Sequence, residues 1–162
     1  VGKLFFISPT QGRLTLEETF SSIIKYVKEA PQYQYKLVVG TDSQSAEGRV
    51  QFVTAIIVYR VGKGGRFFYR RTREPRSRSL RQRIYYETAK SLDVASKITH
   101  MLAETEHLVE EMDVEIHLDV GRHGSTSQMV KEVVGMVTGS GYGAKIKPDS
   151  YGASKVADKY TK

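Results

Sequence analysis

Leu37-Val38-Val39-Gly40-Thr41-Asp42-Ser43 is the stretch on which the reading of this chain turns. Its branched apolar residues suit a buried central strand. No large apolar residue follows until Val50, so Asp42 is expected where the strand leaves the sheet. In open α/β sheets, ligands collect at the carboxyl ends of strands, and a carboxylate delivered there is placed to hold a cation. Asp and Ser also open turns by bonding their own backbone, and for Asp42 alone that is the simpler reading. The decision rests on whether other carboxylates arrive at the same point.

Downstream, Ala46-Glu47-Gly48 reads as a turn and residues 50–61 as a long strand. Gly62-Lys63-Gly64-Gly65 is a glycine-rich hairpin connection; it lacks the spacing of a phosphate loop, and no Ser or Thr follows the Lys. Residues 66–73 then complete an antiparallel meander. A helix is expected from Ser79 to about Met112, unbroken or broken near Glu104-Thr105-Glu106, with Leu80, Ile84, Thr88, Leu92, Ala95, Ile98 and Leu102 facing inward. At 100° per residue, Glu87 falls on the flank of that stripe, one side toward the sheet and one toward solvent. A purely solvated Glu sits opposite such a stripe more often. A pairing with Arg83, one turn earlier, is the structural alternative.

Val114-Glu115-Ile116-His117-Leu118-Asp119-Val120 alternates as a strand and again ends on Asp; His117 reads as structural. The loop Gly121-Arg122-His123-Gly124 follows, and Ser125, Thr126 and Ser127 offer caps for a helix carrying Met129, Val130, Val133, Val134 and Val137. A short strand over 144–149 ends on a third carboxylate, Asp149, which is also a good N-cap for a last helix carrying Ala153, Val156, Ala157 and Tyr160. Asp158 lies about 140° from Ala153 on that helix, away from its apolar face.

Upstream, residues 1–14 read as a short extended arm. Thr15 with Glu18 forms a capping-box pattern, and Leu16, Phe20, Ile23, Ile24 and Val27 give a helix over 16–29 that Ala30-Pro31 stops. Residues 1–35 are thus expected as an arm and helix packed on a core of residues 36–162. Right-handed crossovers arrange the core as a mixed five-stranded sheet of order 3-2-1-4-5, with helices on both faces and the extra N-terminal helix added. Asp42 and Asp119 then end neighbouring parallel strands, within reach of Glu87. Carboxylates that close repel unless a cation lies between them.

The 162 residues carry a formal charge of +7 and no cysteine. Thiolate metal sites and disulfides are excluded, a polyanion is the favoured partner class, and the composition suits a cytoplasmic protein. No apolar run approaches the roughly 20 residues of a membrane span. Eight arginines lie between Arg66 and Arg83; seven of them, Arg70, Arg71, Arg73, Arg76, Arg78, Arg81 and Arg83, interleave with Phe67, Phe68, Tyr69, Tyr85 and Tyr86 as a nucleic-acid surface requires.

The order of acids, Asp on the first core strand, Glu on the following helix and Asp at the end of strand four, is that of the ribonuclease H-like fold. Val39-Gly40-Thr41-Asp42-Ser43-Gln44, His117-Leu118-Asp119-Val120-Gly121, the segment Val134 to Gly141 and the segment Lys145 to Lys162 resemble the YkuK family of predicted ribonuclease H-like nucleases. The resemblance implies two-metal hydrolysis of phosphodiesters. Asp42 would bridge two Mg²⁺ or Mn²⁺ ions, Glu87 and Asp119 would complete the shell, and Asp149, or alternatively Asp158, would hold the second ion. His123 would assist proton transfer. DNA, RNA and hybrid substrates all stay open. The principal rival is a nucleic-acid binding module that keeps the fold without cleavage; a sugar-kinase-type phosphate site and a purely structural role for the acids rank lower.

Overall fold

The structure is a computed structural model that describes residues 4–74, 79–105 and 112–150. In chain order it contains β1 (Phe5–Ser8), β2 (Gly12–Thr15), α1 (Leu16–Glu29), β3 (Tyr35–Ala46), β4 (Arg49–Arg60), β5 (Gly64–Glu74), α2 (Leu80–Ala103), β6 (Asp113–His117), α3 (Val130–Gly139) and β7 (Gly143–Lys145), with a 3₁₀ turn at Ser127–Met129. All seven strands belong to one mixed sheet of order β2-β1-β5-β4-β3-β6-β7.

The expected five-stranded sheet is therefore incomplete. Residues read as an extended arm close into the β1–β2 hairpin, whose turn uses the positive φ of Gly12 (78°), and β1 pairs antiparallel with β5 through Ile7 and Tyr69. The N-terminal addition is accordingly not a helix alone: it is a hairpin built into the sheet and followed by α1. A capping box starts α1, with Glu18 N–H donating to Thr15 Oγ1 (3.1 Å) and Thr15 N–H donating to Glu18 Oε1 (2.9 Å). Such a cap contributes about 1 kcal/mol.

β3 and β4 pair along their whole length, from Tyr35↔Arg60 to Ala46↔Arg49. Only Glu47 and Gly48 remain as the loop, both at positive φ (53° and 74°), the geometry that matches strand twist in two-residue hairpins. β3 consequently runs four residues past Asp42, which pairs with Val53 inside the ladder rather than sitting where the strand leaves the sheet. What ends near Asp42 is the other neighbour. The parallel pairing of β3 with β6 stops at Gly40↔His117, and the two strands part beyond it.

α1, α2 and α3 all contribute to one buried cluster, which includes Leu37, Val39, Ile56, Val58, Phe68 and Ile116. Each fully buried side chain of this kind contributes roughly 1.5–3 kcal/mol. The opposite face carries Val38 and Ile57 with Tyr59 and Phe67. Helices on both faces are thus not found among the described residues; the expected last helix, with Asp158, lies outside them. α2 ends at Ala103, with Glu104 as its C-cap, at the break read near Glu104-Thr105-Glu106 rather than near Met112. Leu80, expected inside, is exposed at the first turn of α2, where the chain has not yet reached the sheet. α3 lacks a side-chain cap because Met129 stands at its N-cap; Thr126 Oγ1 accepts from Gly121 N–H (3.1 Å) and Ser127 Oγ donates to Gly124 O (2.9 Å) before the helix begins. These hydroxyls hold the loop instead. Among the described residues, no helix is long and apolar enough to cross a membrane.

Candidate metal centre and basic surface

Side chains alternate between the faces of a strand. In β3 the odd positions face α2: Thr41 Oγ1 lies 2.7 Å from Ser91 Oγ and 3.0 Å from Thr54 Oγ1, and Ser43 Oγ donates to Glu87 Oε2. Asp42 belongs to the other face. A carboxylate there can meet one from α2 only where no neighbouring strand intervenes, and the parting of β3 from β6 supplies that opening. Asp119 follows β6 by two residues, as Asp42 follows Gly40, so the two arrive level. Asp42, Glu87 and Asp119 each place a carboxylate oxygen within 4.8 Å of the others.

Glu87 is the member whose surroundings differ most from expectation. It is buried, 5 % exposed, not on a solvent-facing flank. Burial is the main cause of a pKa raised to about 8; the Ser43 hydroxyl works against that shift, the charges of Asp42 and Asp119 add to it, and Arg83 opposes it. Arg83 does not stand out on the surface. Its Nε donates to Ser43 Oγ (3.1 Å) and its Nη2 to Ser43 O (3.0 Å), so a chain of donors runs from Arg83 through Ser43 to Glu87. Asp119 receives Lys147 Nζ at 2.9 Å. The extension of β7 places that lysine: Leu118 N–H donates to Lys145 O and Lys147 N–H to Val120 O, both at 2.9 Å.

Three carboxylates from three separate elements, one of them desolvated, form a hard-oxygen donor set that suits a divalent cation. Ser43 and Lys147 were missed from sequence. Ser43 adjoins Asp42 and could have been found from strand alternation, whereas nothing local marks Lys147.

The other candidates are placed as follows. Asp149 is exposed in a turn after β7 and does not belong to the carboxylate group. His123 is exposed in the loop after Asp119. His117 is buried, its Nε2 3.2 Å from Glu115 Oε1 and its Nδ1 without a partner. Burial pushes its pKa down, against the pull of Glu115. Of the arginines, Arg71 and Arg73 are exposed on β5 and Arg70 is half-buried there. Arg81 leaves this surface to bridge Glu132 on α3 (3.2 Å). Arg76 and Arg78 lie outside the described residues.

A family model described as ribonuclease H-like matches residues 18–162. The uncharacterized protein YkuK of Bacillus subtilis (strain 168) is 33 % identical over 166 aligned positions, covering 97 % of this chain and 96 % of YkuK. No solved structure matches the chain. The chain belongs to the ribonuclease H-like family. Within it, the chain is a member of the YkuK family. Since the match begins inside α1, most of that helix lies within the matched region rather than outside it.

Proposed function

We propose that this protein is a metal-dependent nuclease that hydrolyses phosphodiester bonds of nucleic acid with two divalent ions, Mg²⁺ or Mn²⁺. The observation that carries this reading is the convergence of Asp42, Glu87 and Asp119 within 4.8 Å. Mutual repulsion and the burial of Glu87 both oppose folding, and a bound cation reverses both. Asp42, Glu87 and Asp119 would hold the ions, with Asp149 or Asp158 as the fourth carboxylate. Ions held there supply an activated water and stabilise the leaving oxygen.

The chain's own residues do the rest. Ser43 and Arg83 fix the Glu87 carboxylate in orientation. Lys147, freed from Asp119 when that carboxylate turns to a cation, offers an ammonium to an incoming phosphate. His123, solvent-facing in the loop after Asp119, is the candidate proton carrier. Arg70, Arg71 and Arg73 contribute positive charge on the same sheet.

A second reading, binding without cleavage, is favoured by one feature: Lys147 on Asp119 and a proton on Glu87 remove two of the trio's three negative charges without a metal. Labelled DNA, RNA and hybrid oligonucleotides incubated with Mg²⁺, Mn²⁺ or chelator separate the two. The nuclease reading expects cleavage by wild type with metal and none by Asp42→Asn or in chelator. Binding without cleavage under every condition would replace it with the second.

A further inference from the structure

β1 leaves β5 early. The two strands pair through Ile7 and Tyr69, and the chain then turns away at Pro9, which has no N–H to continue a ladder. Among the described residues, the first part of β5, from Gly65 to Phe68, therefore lies beside a cleft and not beside a strand. The turn after β1, one side of α1 and the start of β5 enclose about 220 Å³. That is room for roughly seven water molecules at about 30 Å³ each.

The walls of this cleft carry donors that the fold leaves unused. Ser8 is buried, and its Oγ accepts from Thr10 N–H (3.3 Å) and Gln11 N–H (3.1 Å). A hydroxyl has two lone pairs and one proton, so the Ser8 O–H is left to donate. Its acceptor among the described residues is Thr10 Oγ1, at a long 3.4 Å. Gln11 Oε1 accepts from Ser22 Oγ (3.0 Å), and the N–H groups of that amide have no partner among the described residues. Tyr26 is only 6 % exposed. Its phenol makes no hydrogen bond among the described residues, yet it is not sealed from solvent, so it opens into the cleft that Tyr26 lines. Lys25 and Arg66 line the same cleft, both exposed and neither in an ion pair among the described residues. The Arg66 guanidinium lies 4.8 Å from the centre of the Tyr26 ring. Glu29 is the one acid of the lining.

We propose that this cleft binds the phosphate group of a small ligand, a phosphate monoester or phosphate itself, through Arg66, Lys25 and the Tyr26 phenol. A guanidinium matches the paired oxygens of a phosphate, and an ammonium and a phenol beside it supply further donors to the same anion. Ser8 and Gln11, deeper in the cleft, offer their free donors to hydroxyls on the body of an ester. The volume is below the roughly 300–1,000 Å³ of sites for drug-sized ligands, which limits the ligand to a small molecule. This site is separate from the carboxylates. Gly65 precedes Arg71 on β5 by six residues, and Arg71 pairs through Val53 with Asp42; at roughly 3.4 Å per residue the cleft stands about 20 Å up the sheet.

The test is an amide-resolved NMR titration of the full chain in chelator, at an ionic strength fixed with chloride. The probes are inorganic phosphate, glycerol phosphate and, as a carboxylate, succinate. Saturating shifts are expected at the amides of Thr10, Gln11, Gly65 and Arg66. Tighter glycerol phosphate places an ester body in the cleft, tighter inorganic phosphate makes phosphate the ligand, and either supports the site. Arg66→Gln should weaken both phosphates about tenfold, and Tyr26→Phe, which keeps the ring, about fivefold. Glu29→Gln should tighten them about threefold by removing a like charge, a gain that a damaged fold does not produce. Arg71→Gln, on the distant basic surface, should leave them unchanged. Shifts that do not saturate, succinate binding tighter than either phosphate, or Arg66→Gln matching wild type would overturn the proposal. So would Arg71→Gln weakening the phosphates as much as Arg66→Gln. Because binding is read without metal and away from the carboxylates, the result stands whether or not the protein cleaves nucleic acid.

Discussion

The two charged regions of the sheet are built by opposite means. Arg70, Arg71 and Arg73 are close in sequence along β5, two of them exposed and one half-buried, and Arg13 joins them through the β1–β2 hairpin. The carboxylates come from residues 42, 87 and 119, on three different elements, and meet at the parting of β3 and β6. Surface arginines cost the fold little, so their presence alone argues weakly for a function. A desolvated Glu beside two Asp residues opposes folding, and its retention argues for a ligand more strongly than a surface arginine does. The difference in cost explains why the acidic region carries the functional argument and the basic region follows it.

The largest effect expected from breaking that asymmetry is on the metal site. Asp119→Asn should lower Mn²⁺ affinity by at least about 100-fold, beyond the range of changes to groups that merely support a ligand, as read by calorimetric titration. Next comes the pH dependence. The folded-state pKa of Glu87, about 8 against 4.5, means that the native state holds this proton more tightly than the unfolded chain. Its favourable contribution is complete below about pH 4.5, falls as pH rises, and is lost above about pH 8. Without metal the loss by pH 7 is on the order of 2–3 kcal/mol. Glu87→Gln should remove that slope, and saturating Mn²⁺ should flatten it in wild type, both measured by denaturant unfolding across the pH range.

A smaller change is expected from Ser43→Ala, which removes the hydroxyl between Arg83 and Glu87. Metal affinity should fall about tenfold and stability by about 1 kcal/mol, with both quantities taken from one thermal titration series. The smallest concerns Arg81, which sits on α2 and pairs with Glu132 of α3. Arg81 and Glu132 are both more than half exposed, so Arg81→Gln should change stability by less than about 1 kcal/mol and leave oligonucleotide binding unchanged. Weaker oligonucleotide binding by Arg81→Gln would instead place Arg81 on the binding surface.

The meeting of Asp42, Glu87 and Asp119 was legible because two periodicities and one handedness rule suffice for it. A run of β-branched residues gives the buried strand, helical spacing gives α2, and the right-handed crossover brings β6 beside β3. The burial of Glu87 was not legible. A helical wheel locates a residue relative to its own helix, but whether a flank is covered depends on where two strands part. The β1–β2 hairpin was missed because each strand has four residues and its alternation is too short to separate from an extended arm. Its partner, β5, is distant in sequence. Lys147 reaches Asp119 through backbone pairing after β7, which no local pattern announces.

The central claim is that Asp42, Glu87 and Asp119 form a cation site, and a thermal-shift titration of wild type and Asp42→Asn with Mn²⁺ tests it most directly. A ligand at 100 times its dissociation constant stabilises the native state by about 2.7 kcal/mol. For a domain of this size, that raises the melting temperature by about 5–10 °C. The account predicts this rise for wild type and none for Asp42→Asn. Equal responses of the two proteins to Mn²⁺, or none from either, would contradict it.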